Sequence, residues 1–233
     1  SEDKFEIDAQ NNFTSFSFNV FPKGGHNYEI SVQNKNILEI EINENGEYEF
    51  PWLESNLIIN NEKLQAWDYI SIEPNVLEGW EFECEKFYHL VEESITLIRI
   101  KPPIDTETGD YRIPFNLKDR NGIKAGEGNI TVNVPQYYGV GIRAEYEDGN
   151  VIITVKNNGN GNDYFKLEKN LDDGLNLYLT ETYFLLGAFD EIKINGLGLK
   201  GNESKEYNAQ FMVNSIGNSN ITAEVNLKIN INN

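Results

Sequence analysis

The chain has 233 residues, enough for one large or two ordinary domains that bury a core without disulfide staples. Its 39% apolar and 12% aromatic content excludes a disordered chain, and a net charge of −19 disfavours nucleic-acid binding through repulsion of the phosphate backbone. Cys84 is the single cysteine, so no intrachain disulfide forms, and no apolar run approaches the roughly 20 residues of a membrane helix. Ser1-Glu2-Asp3-Lys4 does not read as a secretory leader, and a membrane anchor, where one exists, lies outside these residues.

In chain order, Phe5-Glu6-Ile7, Phe16 to Val20, Tyr28 to Val32 and Ile37 to Ile42 alternate apolar and polar residues, the period of a half-buried strand. Pro22-Lys23-Gly24-Gly25 marks a turn among them, and Asn45-Gly46 marks a hairpin, because both positions tolerate positive φ. Leu57-Ile58-Ile59, Asp68 to Ile72, Gly79 to Phe82, a second alternating run through Ile100, Tyr111 to Leu117 and Asn129 to Val134 continue the strands up to Pro135. Pro135-Gln136 is the expected domain boundary. Beyond it come Val140 to Tyr146, an Asp148-Gly149 turn, Val151 to Val155, and a Gly/Asn-rich loop from Asn157 to Asn162.

The second half then repeats the first. Asp163 to Leu167 mirrors Asp68 to Ile72, Asp173 to Leu177 mirrors Glu78 to Phe82, and Tyr183 to Leu186 mirrors Tyr88 to Val91. Ile192-Lys193-Ile194 stands for Ile98-Arg99-Ile100, Glu206-Tyr207 for Asp110-Tyr111, and Val225 to Ile229 for Ile130 to Val134. An offset that stays between 94 and 96 residues points to tandem duplication. Short, closely spaced strands with no helical period predict an all-β fold of tandem immunoglobulin-like β-sandwiches, over 1–135 and 136–233. Residues 1–43 supply extra N-terminal strands to the first sandwich or form the tail of a preceding repeat, the first being favoured because strand faces need cover.

Leu77-Glu78-Gly79-Trp80, Glu85-Lys86, Leu90, Ile95 to Ile100, Pro102-Pro103, Thr108-Gly109-Asp110-Tyr111 and the closing Ile130-Thr131-Val132-Asn133-Val134 together resemble the NPCBM-associated domain family. Val155-Lys156-Asn157-Asn158-Gly159-Asn160 followed by Asp163-Tyr164 resembles its V-K-N-x-G strand and turn. That family is an immunoglobulin-like module first named beside alpha-galactosidase catalytic domains and common in archaeal and bacterial surface proteins. The resemblance covers 53–134 well and 150–231 less well, with Leu175 in place of Trp80 and Gly196 to Gly198 in place of the proline turn. It implies an accessory or spacer module. The residues themselves suggest why: Gly79 gives a tight turn before Trp80 enters the core, and Gly109-Asp110 bends the chain so that the Tyr111 hydroxyl reaches a backbone group.

Trp80 is a core residue on this pattern. Trp67 has the polar Asn162 as counterpart, so its indole either stacks on a sugar or seals the contact with residues 1–43, and Trp52, after Pro51, presents the same choice. Asp105, Glu107 and Asp110 put three carboxylates in one loop, a weak calcium candidate without EF-hand spacing. Glu92-Glu93 and Asp172-Asp173 are neighbours on strands and point to opposite faces, which makes them poor acid/base partners. His26 and His89 have no metal-ligand spacing, Cys84 reads as a small buried hydrophobe, and no nucleophile or phosphate-loop motif occurs. Asn12, Asn129, Asn202 and Asn220 open Asn-x-Ser/Thr triplets, glycosylation acceptors in an exported protein.

The resulting expectation is a non-enzymatic module at the cell surface or outside the cell, acting as spacer, scaffold or adhesion segment. It would use no cofactor and would meet other surface proteins or glycans. The alternative is a carbohydrate-binding accessory module of a secreted glycoside hydrolase or surface protein.

Overall fold

A computed structural model describes residues 28–33, 38–45, 47–61, 68–84, 88–90, 93–119, 121–147 and 149–231, with only the backbone of 28–29, 32–33, 61, 68–69 and 88–90. The expected strands at Phe5–Ile7 and Phe16–Val20, the Pro22–Gly25 turn, Gly46, Asp148, Glu85-Lys86, Trp67 and His26 lie outside the described residues, as does the His89 side chain. The chain divides into two compact units, Ser1–Pro135 and Gln136–Asn233.

The first unit contains β1 (Tyr28–Gln33), β2 (Glu41–Ile42), β3 (Tyr48–Glu49), β4 (Leu53–Asn61), β5 (Asp68–Pro74), β6 (Glu81–Cys84), β7 (Tyr88–Leu90), β8 (Glu93–Lys101), β9 (Gly109–Asp119) and β10 (Lys124–Val134). The second contains β11 (Val140–Glu147), β12 (Asn150–Asn157), β13 (Asp163–Leu171), β14 (Leu175–Leu179), β15 (Tyr183–Leu186), β16 (Glu191–Gly201), β17 (Glu206–Ser215) and β18 (Thr222–Asn230). No helix occurs among the described residues. Every pairing between these strands is antiparallel.

In the first unit the sheets run β1-β4-β8-β6 and β10-β9-β5-β7, and in the second β11-β12-β16-β14 and β18-β17-β13-β15. The two orders correspond strand for strand. Each unit is an immunoglobulin-like sandwich, one sheet matching the A-B-E-D order and the other G-F-C with an added edge strand. Alternation decides which face is buried. Val151, Ile153 and Val155 point inward from β12, and Tyr207, Ala209, Phe211 and Val213 point inward from β17, all of them buried in one core. In the first unit Leu57, Ile59, Ile98 and Ile100 come from one sheet, and Ile113, Phe115, Leu117, Ile130 and Val132 from the other.

A strand from residues 1–43 joins the first sandwich, the favoured of the two expectations, while three details differ. Tyr28–Gln33 is the first strand of the first sandwich, paired with β4 as β11 is paired with β12. The sequence match did not reach it because only two positions separate β11 from β12 in the second unit, whereas residues 34–52, with the β2–β3 hairpin, separate β1 from β4 in the first. Among the described residues of the alternating run 37–42, only Glu41 and Ile42 form a strand. Leu38 is instead buried and donates its backbone N–H to Asn133 O at 3.1 Å, tying the insertion to the end of β10.

The third difference is register. Leu57-Ile58-Ile59 in β4 and Ile153-Thr154-Val155 in β12 are matching buried triplets. Thr96 pairs with Leu57 and Ile194 with Ile153, so Ile194 occupies the place of Thr96 and Gly196 the place of Ile98. The sequence match of Ile192–Ile194 to Ile98–Ile100 is therefore four residues out, and Leu227, not Val225, stands opposite Ala209 as Ile130 stands opposite Ile113. Gly196 and Gly198 lie inside β16, not at the proline turn. The position of Pro103 falls to Asn202: a Cβ on Gly79 would meet Pro103 and one on Gly174 would meet Asn202.

Gly79 and Gly174 share a left-handed backbone, φ 79° and 85°, immediately before Trp80 and Leu175, which are both buried. Gly196 is kept small by packing. A Cβ there would lie 2.6 Å from Leu177 Cδ1 and 3.0 Å from Val151 Cβ. Gly196→Ala should therefore destabilise the second unit by about 1–3 kcal/mol through overpacking, read as a lower urea midpoint. Adding Leu177→Ala should cost less than the two single changes summed; strict additivity would show that the crowding is not between these residues.

Candidate functional site

The recurring motif residues form structural hubs. Tyr111 donates its hydroxyl to Glu107 O at 2.8 Å, and its ring lies 5.2 Å from that of Trp80. Tyr207 donates to Glu203 O at 3.2 Å and accepts from Glu203 N–H at 3.0 Å. Both are tyrosine corners, in which the hydroxyl returns to the residue four positions back and pins the turn before the strand. Burial, and then the Glu107 carboxylate, raise the Tyr111 pKa above its ordinary 10.0.

A buried asparagine does comparable work at the end of β12. Asn157, 1% exposed, donates its side-chain amide to Gly161 O and to Gly187 O, both at 2.8 Å, and accepts from Gly159 N–H at 2.9 Å. Asn160, fully buried, accepts from Tyr137 N–H at 2.7 Å. Together they join the chain entering β11, the loop before β13 and the loop after β15, where Phe189 sits at φ 61°, a conformation bulky residues rarely adopt. Asp163, buried at the start of β13, accepts from the Ser215 hydroxyl and from Gly217 N–H. The V-K-N-x-G residues thus satisfy loop carbonyls and amides that would otherwise be buried alone.

Trp52 is half-buried and lines a groove of about 360 Å³ with Leu38, Glu39, Glu41, Pro51 and Glu54, beside the inserted hairpin. Trp67 lies outside the described residues. Asp105, Glu107 and Asp110 are exposed, and Asp110 accepts from the Asn133 amide at 2.8 Å. Among the described residues no three metal-ligating side chains converge, so the loop does not gather its carboxylates around one point. Its order comes from Thr106, whose hydroxyl donates to Pro103 O at 2.7 Å, and Thr108, whose hydroxyl donates to Val134 O at 3.0 Å. Cys84 is half-buried on β6, not fully buried. Asn202 and Asn220 are exposed in turns, whereas Asn129 is half-buried within β10.

One surface feature has no counterpart in the sequence reading. Tyr164 and Tyr183 stack with ring centroids 5.5 Å apart and planes 19° from parallel, on the outer face at the β15 edge. Leu185 pairs directly with Tyr164, Ile216 N–H donates to Tyr164 O, and all four residues are about half exposed. Alternation on each strand turns these side chains outward, but only strand pairing makes them neighbours.

No family model and no curated protein matches the chain. Solved structures similar to it include the D00-D0 domain of intimin, at 13% identity over 88% of this chain and 100% of that one, with a TM-score of 0.38. A protein of unknown function from Porphyromonas gingivalis W83 aligns at 14% identity over 87% of this chain and 99% of that one, with a TM-score of 0.32. The YadV chaperone aligns at 8% identity over 86% and 99%, with a TM-score of 0.30. Scores below 0.5 do not establish a shared fold, and the β-sandwich assignment rests on the sheets described above.

Two measurements test the hubs. Asn157→Leu orphans two loop carbonyls and should cost about 3 kcal/mol in urea unfolding. Tyr111 has a raised folded-state pKa, so its contribution to stability is fully present below about pH 10 and is lost as pH rises through the folded value. Tyr111→Phe should remove that part of the alkaline decline while lowering stability at neutral pH by about 1 kcal/mol.

Proposed function

We propose that this chain is a non-enzymatic module of a surface or secreted protein, built by tandem duplication of one sandwich and related to the NPCBM-associated family. The observation that carries this reading is the strand-for-strand correspondence of the two units. What recurs between them is a packing scheme: the tyrosine corner at Tyr111 and Tyr207, and the glycine turn before Trp80 and Leu175. Repeated structural residues suit a part that sets distance and presents surface, as a spacer, scaffold or adhesion segment does. The stacked Tyr164–Tyr183 pair supports a role in contact, since exposed apolar clusters commonly mark interaction surfaces. Fractionation of the native host should recover the protein from the envelope or the medium; recovery in the cytoplasm would sink the proposal.

A second reading, a carbohydrate-binding accessory module, draws on the Trp52 groove. A half-buried indole beside Glu39, Glu41 and Glu54 offers an aromatic face for sugar C–H groups and carboxylates to accept sugar hydroxyls. Glycan-array binding that Trp52→Ala abolishes, with the melting temperature unchanged, is the expected result. A blank array removes the reading.

A further inference from the structure

The outer face of the β11-β12-β16 sheet carries a groove of about 190 Å³ lined by Gly141, Arg143, Thr154, Lys156, Asn158 and Glu191. Strand pairing builds it. Arg143, Thr154 and Lys193 stand in one row across the three strands, and Gly141, Lys156 and Glu191 in the next. Three cations thus gather on one face of a chain whose net charge is −19. Among the lining residues only Glu191 is acidic, and its ion pair with Arg143 is long, 3.9 Å, between well-exposed side chains. Such a pair holds its partners weakly, leaving both groups available to a ligand.

Thr154 supplies the independent observation. It points to the outer face, yet it is only 6% exposed and its hydroxyl has no hydrogen-bond partner among the described residues. A buried, unsatisfied hydroxyl is costly, and here it borders open space that a ligand atom can enter. Gly141 keeps that space open: a Cβ there would stand 3.1 Å from Asn158 Nδ2.

The chemistry of the lining selects the ligand. Arg143, Lys156, Thr154 and the Asn158 amide donate, which calls for an anionic, oxygen-rich group. Glu191 accepts, and it would repel a phosphate dianion but receive a neutral hydroxyl. The volume lies below the range of about 300–1,000 Å³ typical of drug-sized ligands and suits one ring. We infer that this groove binds a carboxylated pyranose, one acidic sugar unit of a glycan, with its carboxylate toward Arg143 and Lys156 and its hydroxyls toward Thr154, Asn158 and Glu191. The site shares no residue with the Trp52 groove and stands or falls separately from it.

The test is a titration of the isotope-labelled full chain with methyl glucuronide, methyl glucoside, acetate and inorganic phosphate, followed by amide NMR shifts. Methyl glucuronide should give saturable shifts centred on Gly141, Arg143, Thr154 and Lys156. Its affinity should be about tenfold above that of each of the other three probes and should fall as salt rises. Lys156→Gln and Thr154→Val should each weaken it by about tenfold with the dispersed spectrum retained. Should Thr154→Val unfold, the exposed Lys156→Gln decides alone. Absence of saturable shifts, acetate or phosphate binding as tightly as the glucuronide, or an affinity unchanged in Lys156→Gln overturns the inference.

Discussion

Each strand in this protein turns a row of apolar side chains to one side, and only a second sheet can take those rows out of water. In the second unit β12 contributes Val151, Ile153 and Val155, and β17 contributes Tyr207, Ala209, Phe211 and Val213; none of the seven has measurable exposure. Among the described residues no helix offers these rows another cover, so the turns, corners and polar hubs hold them opposite one another. The Asn157 network follows from the same constraint. Closing the end of a sandwich brings loop amides and carbonyls out of water, and a side chain that both donates and accepts satisfies several at once.

Within that constraint the two units reach the same strand order with different side chains. Where the first has Ile98 on β8, the second has Gly196, and Leu177 fills the space with a methyl group 2.6 Å from where a Cβ would be. Trp80 and Leu175 follow equivalent left-handed glycines, although one ring carries far more volume than the other chain. Cores tolerate such exchanges when the total volume and the pattern are kept. The insertion between β1 and β4 has a similar freedom, because it leaves the β1–β4 ladder intact and attaches through Leu38.

The outward positions are released from this demand, and the candidate binding features lie there or in the insertion. Tyr164 with Tyr183, and Arg143 with Thr154 and Lys193, are juxtapositions made by strand pairing, not by chain proximity. The Trp52 groove sits beside the β2–β3 hairpin, which has no counterpart among the described residues of the second unit. Rigid sheets suit such sites, since a ladder holds neighbouring side chains at fixed spacing with little loss of freedom on binding.

Much of this was legible without coordinates. Alternation marks a strand from its own residues, so β9, β12 and β13 could be read directly, as could the hydroxyl-to-backbone bond at Tyr111. The two-sheet class followed, because strands with one apolar face and no helix have few ways to hide it. Register and neighbourhood did not follow. They depend on loop lengths and bulges, so the match of Ile192 to Ile98 slipped by four residues, β1 stood apart from the repeat, and the carboxylates of Asp105, Glu107 and Asp110 proved not to converge. A period-two pattern is local and survives any pairing, whereas which two strands lie side by side is settled only when the whole sandwich closes. That closure alone put a buried threonine hydroxyl between an arginine and a lysine.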